Sequence, residues 1–119
     1  MTNSMTDLMR VEMRSGTPSE YLVRFGKTGK KITSIIVYRE SHNGILPGRE
    51  FKIGDMAEYD SYNLSYYAAI ESITEKTVTI AKHYDSKKHR LDLYKFCWRN
   101  HNFDLAKVRE ENNITSYSI

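Results

Sequence analysis

FKIGDMAEYDSYNLSYYAAIESITEKTVTIAKHY, residues 51–84, is the stretch whose reading decides the fold class. Three runs in it, 55–59, 64–73 and 77–81, are rich in aromatic and β-branched side chains, which suit a pleated, half-buried surface. Asp60-Ser61-Tyr62-Asn63 and Thr74-Glu75-Lys76 supply the polar breaks between them. Short runs with compact breaks predict a three-stranded antiparallel meander. It would form the middle of a small, strongly bent antiparallel sheet or barrel in a mainly β (α+β) chain. Side chains alternate across a strand, so Leu64, Tyr66, Ala68 and Ile70 share one face and Ser65, Tyr67, Ala69 and Glu71 the other. The company each keeps puts Tyr66 inward and Tyr67 outward, with Tyr62 exposed on the turn.

Upstream, Met5, Met9 and Met13 fit a helical stripe, while Met9, Val11 and Met13 also alternate with charged residues as a strand would. The strand reading is preferred, because the loop signal Ser15-Gly16-Thr17-Pro18 follows and Tyr21, Val23 and Phe25 resume the alternation. The methionines then serve core or edge packing. Gly26-Lys27-Thr28-Gly29-Lys30-Lys31 invites comparison with a phosphate-binding P-loop, but position 21, where that loop needs glycine, is Tyr21, and a β-type run follows where a helix is required. A hairpin turn with a solvated basic tip fits better. ITSIIVY, residues 32–38, is nearly continuous in apolar character, which predicts a central strand or one buried on both faces. Residues 41–48 are dense in turn formers; within them Ile45 and Leu46 face a ligand or plug the open end of a barrel.

Downstream, Asp85-Ser86-Lys87-Lys88 reads as a basic loop. Asp92 can cap a short helix that packs Leu93, Phe96 and Cys97 on the sheet, at i, i+3 and i+4. Asp104 can cap a second helix, and the alternating tail 114–119 can return as an edge strand that pairs within the chain or with another copy. The whole reads as a single domain, 1–119, made of N-terminal strands and a loop (1–50), the meander (51–84), and a basic loop, short helices and tail (85–119).

Composition bounds the function. The 119 residues are 39% hydrophobic and 28% charged, with a formal net charge of +3, as in a soluble globular protein. No apolar run reaches the roughly 18 residues of a membrane span, and the N-terminus lacks the basic and apolar regions of a secretory signal, so a cytoplasmic protein is expected. Nine tyrosines against four phenylalanines favour rings with a polar tip, which suit contact surfaces. Charge is uneven: between 82 and 101, Lys82, Lys87, Lys88, Arg90, Lys95 and Arg99 face only Asp85 and Asp92. Lys82, Lys87, Lys88, Arg90, Lys95 and Arg99, with Tyr62, Tyr67 and Trp98 as stacking rings, are therefore the candidate contacts for an anionic partner, above all nucleic acid.

No enzyme motif is present: no Gly-x-Ser-x-Gly, no His-Glu-x-x-His and no dinucleotide fingerprint. His83, His89, Cys97 and His101 match no common zinc spacing, so neither metal nor cofactor is expected. Cys97 and His101 stand at i, i+4, where a thiol could meet a base, but Cys97 is a core-facing position that favours an inert thiol. Asp55, Glu58 and Asp60 read as charges that keep an edge soluble.

Gly54-Asp55-Met56-Ala57-Glu58-Tyr59, Tyr67-Ala68-Ala69-Ile70 and Lys76-Thr77-Val78-Thr79-Ile80 resemble the opening strands of SH3-like small barrels of the Tudor and KOW kind. That resemblance implies binding to nucleic acid or peptides through aromatics and loops at one rim. An aromatic cage of Tyr59, Tyr62 and Tyr67 with Glu58 would require the turn to fold back over the sheet. The run 96–104 is similar to segments of small bacteriophage proteins, from which no activity carries over. Two functions are thus expected: a non-enzymatic nucleic-acid-binding module, or a phage-type accessory (counter-defence) protein in the host-cell cytoplasm. The latter would inhibit a host protein or sequester a nucleotide signal, and would form a homo-oligomer through its tail.

Overall fold

The computed structural model describes residues 3–61, 64–81 and 88–100, with side chains for all of these except 60, 61, 64–66 and 88. It is mainly β: two curled antiparallel sheets, each a half-barrel, closed at one end by a short helix.

The first sheet is built on a long hairpin. Strands β3 (Pro18–Thr28) and β4 (Lys31–Ser41) pair antiparallel across the turn Gly29-Lys30, with a register shift between Gly26 and Lys27, so the basic Gly-Lys stretch is the hairpin tip expected of it. The N-terminal residues are strands, as their alternation suggests, and break into β1 (Asn3–Met5) and β2 (Met9–Glu12), both on the outer side of β3. Met5, Met9 and Met13 are partly exposed along this edge and not in the core. On the other side of β4 lie β5 (Gly44–Ile45) and β6 (Arg49–Lys52). Pairing of Gly44–Ile45 with Glu40 and Ser41 leaves Ile45 half exposed, so it plugs no barrel end.

β4 has the central place its apolar run predicts, but only its inner face is sealed. Phe25, Ile35 and Phe51 form one inward row across β3, β4 and β6, all nearly inaccessible. On the outer face Ile36 and Tyr38 are half buried beneath the backbone at Gly48, where a Cβ would collide with both side chains.

A tight corner links the sheets. Gly54, at φ 98°, adopts a conformation open to glycine. Asp55 then locks the turn: its Oδ2 accepts the Lys52 N–H at 2.8 Å and its own N–H reaches the Lys52 carbonyl at 2.9 Å. Gly54 N–H donates to Ile70 O, and Ile70 N–H to Asp55 O, so the chain enters the second sheet already paired.

That sheet is a four-stranded meander: β7 (Met56–Ser61), β8 (Leu64–Ile73), β9 (Thr77–Ala81) and β10 (Lys88–Asp92). Two expectations are corrected. Asp60 and Ser61 are not a break, since pairing runs on to Ser61 opposite Leu64. The meander has four strands and not three, and Lys88, read as loop, opens the fourth, because each of residues 88–92 pairs with a residue of β9, from Lys88–Ala81 to Asp92–Thr77. The sheet curls until its two edge strands meet, and Tyr59 of β7 stacks on His89 of β10 at 4.5 Å between ring centroids. A cage using Tyr59 is thereby excluded, since that ring is buried.

Helix α1 (Leu93–Asn100) follows β10 directly. Asp92 caps it, its Oδ1 accepting the Lys95 N–H at 2.8 Å, a bond that satisfies one of the orphan donors of the first turn. Leu93, Phe96 and Cys97 are buried as their spacing predicts. Phe96 meets Phe51 edge-on at 5.2 Å, and Tyr94 meets Tyr21 at 5.7 Å, so one hydrophobic cluster joins both sheets and the helix. The predicted second helix and the tail strand lie outside the described residues.

Candidate nucleic-acid interface

The fourth position of the buried helical stripe is polar. Asn100 follows Leu93, Phe96 and Cys97 at i+7 and is itself buried. Its amide meets the free edge of β7: Nδ2 donates to the Glu58 carbonyl at 3.0 Å and to Phe96 O at 3.0 Å, while Oδ1 accepts the Glu58 N–H at 2.8 Å. Glu58 therefore turns its backbone away from Tyr67, its partner on β8, and a side-chain amide takes the place of a further strand.

This anchor fixes what surrounds it. Arg99 Nη2 binds Glu58 Oε1 at 2.7 Å, with side chains only 18% and 22% exposed. The same guanidinium lies 5.5 Å from the Trp98 ring centroid. Tyr67, across from Glu58, is 62% exposed, and Trp98 is 47% exposed. Tyr67, Glu58, Arg99 and Trp98 thus form a connected surface over β8, β7 and α1. Beyond Trp98 a shallow groove continues to Lys95, Asp92, Arg14 and Met13. Arg14, 94% exposed in its side chain, approaches Asp92 at 3.6 Å.

Of the predicted contacts, Lys95, Trp98, Arg99 and Tyr67 come together here. Tyr67 points outward as expected. Arg99 is engaged with Glu58, so its charge is largely matched within the molecule. Arg90 stands exposed on β10, opposite Thr79. Lys88 is placed on β10 by its backbone. Lys82, Lys87 and Tyr62 lie outside the described residues, as does the tail 114–119. Sequence reading missed Arg14 and Met13, which reach the groove only because α1 packs beside β2, and it missed Glu58 as the partner of Arg99.

Cys97 is fully buried, and desolvation, followed by the Asp92 carboxylate, pushes its thiol well above the usual cysteine range. A thiol held protonated at neutral pH is neither nucleophile nor metal ligand. Asp55 spends its carboxylate on the corner and Glu58 on Arg99, so neither is poised for acid–base chemistry. Among the described residues no three His, Cys, Asp or Glu side chains gather as a metal site, and no helix is long and apolar enough to cross a membrane. His83 and His101 lie outside the described residues.

No family model, curated protein or solved structure matches the chain. The surface is therefore read from its own geometry.

Proposed function

We propose that the chain is a non-enzymatic binding module that contacts an anionic partner, nucleic acid, through the surface centred on Trp98. The observation that carries the reading is the exposure of the single tryptophan beside a groove lined by Lys95 and Arg14, with exposed Tyr67 reached through Arg99 and Glu58. Exposed rings offer faces on which bases stack, and neighbouring cations hold the phosphates between them. Arg90, exposed on β10 two residues before Asp92, would extend the cationic track.

Titration of single- and double-stranded oligonucleotides from low to moderate salt tests it. Affinity should fall as salt rises, because bound phosphates release counterions. Trp98→Ala should weaken single-strand binding by about tenfold, the worth of one stacked base, and Arg90→Ala should reduce the salt slope. No affinity at low salt, or affinity without a salt slope, overturns the proposal.

A protein partner is the second reading, favoured by two exposed methionines: Met13, which lines the groove with Trp98, and Met56, opposite Ala69 two residues along β8 from Tyr67. Methionine, tryptophan, tyrosine and arginine together are typical of protein interfaces. It matches the expectation of an accessory protein that inhibits a host protein. Retention of one stoichiometric polypeptide by wild-type protein, and its loss with Trp98→Ala, would favour it over nucleic acid.

A further inference from the structure

The outer face of the first sheet carries a trough remote in sequence from the Trp98 surface. One cross-strand row runs Met5, Gly26, Ser34, Lys52 through β1, β3, β4 and β6. Its two middle residues are small, so the row is dented between longer side chains. The trough holds about 550 Å³, within the range of small-ligand sites. Lys27, Thr28, Thr33, Ser34, Glu50 and Lys52 line it, with Met5 and Ile53 as apolar rims.

Its floor is polar. Ser34 is only 6% exposed, and its hydroxyl lies over the bare Cα of Gly26, where any Cβ would collide with it. Among the described residues nothing hydrogen-bonds to that hydroxyl. Thr28 and Thr33, beside it, are hydrogen-bonded to each other at 3.3 Å, and Thr28 to Asn3 at 3.1 Å. One row further along the same face, Arg24 stands in line with Ile36 and Glu50, and its Nε is buried without a partner among the described residues. Leaving such a donor unmet costs about 1–3 kcal/mol, and it lies on the face that carries the trough.

We propose that this trough binds a phosphate monoester of mononucleotide size. Lys27 and Lys52 supply charge along its walls, Arg24 adds a third cation beside it, and the Ser34 hydroxyl donates to a phosphate oxygen at the floor. Glu50, the one carboxylate of the lining, accepts from the sugar hydroxyls. The glycine at 26 keeps the floor open. The site is independent of the Trp98 surface, so either can fail alone.

Amide shifts of the full chain, followed by NMR during titration with adenosine 5′-monophosphate, ribose 5-phosphate and adenosine, test this. The expected result is saturable shifts at residues 26–28, 33–34 and 50–53 with either phosphate and none with adenosine. Equal binding of both phosphates identifies the sugar phosphate as the recognised unit; preference for the nucleotide adds the base. Ser34→Ala should leave stability nearly unchanged, since the hydroxyl makes no hydrogen bond among the described residues, yet weaken binding about three- to tenfold. Lys52→Glu, at an exposed position, should weaken it by tenfold or more by the loss of a charge-assisted contact. Absence of saturable shifts, shifts confined to α1 and β10, or equal binding of adenosine overturns the proposal. Trp98→Ala should leave these shifts unchanged.

Discussion

Tyrosine is the residue whose role this fold divides most sharply. Tyr21 lies in the core against Tyr94, as its alternation with Val23 and Phe25 predicts. Burial, and after it the negative charge of Glu20, pushes its phenol up to about 12 from the ordinary 10.0. The folded state thus holds the proton more tightly than the unfolded chain. The stability linked to Tyr21 is fully present below the unfolded value near pH 10 and is lost as pH rises through the folded one. Urea unfolding at about pH 9 and about pH 11 should show a fall in stability that is smaller in Tyr21→Phe. An equal fall in both would mean that other groups account for it. Tyr59 shows the limit of reading such residues from sequence. It stands on a short strand in mixed company, and an amphipathic ring suits either side of a sheet. Curling of the sheet onto His89 buries Tyr59, whereas the outward face of β8 leaves Tyr67 in water.

Among the elements, β7 is an edge strand, and its free side offers unpaired backbone groups to any passing strand. Asn100 answers for one residue of that edge from the last turn of α1. Asn100→Ala removes three hydrogen bonds and should cost about 2–3 kcal/mol, the penalty for stranding part-buried backbone groups. Asn100→Asp should cost more, because a carboxylate would face two carbonyl oxygens beside Glu58. Chemical denaturation of the two variants checks the order; an Asn100→Ala protein as stable as wild type would show that the side chain does not secure this edge. The helix itself was legible, for Asp92 and the spacing of Leu93, Phe96 and Cys97 are local signals. β10 was not. KHRLD has no β-branched residue and no Phe, Tyr or Trp, and only its register with β9 makes it a strand.

At the scale of the molecule, one hydrophobic cluster takes side chains from both sheets and the helix, and the corner at Gly54 and Asp55 ties the sheets covalently and by hydrogen bonds. Neither sheet can bury its inner face without the other. Unfolding should therefore be a single cooperative transition, with far-UV circular dichroism and fluorescence of the single tryptophan on α1 giving one midpoint. A separate, earlier fluorescence transition would mean that the helix comes away before the sheets part.

The sequence by itself determined the periodic part of this protein: a mainly β chain, the strands Leu64–Ile73 and Thr77–Ala81, the basic hairpin tip, and a capped helix with its apolar stripe. These depend on neighbours within a few residues, where alternation, turn chemistry and capping act directly. Tertiary structure alone decided what depends on partners far along the chain. Arg99 is matched by Glu58, Asn100 seals an edge, Arg14 joins Trp98, and Gly26 meets Ser34 at the floor of a trough. No local pattern encodes these pairs, because the contacts exist only once two curled sheets have closed on a common core.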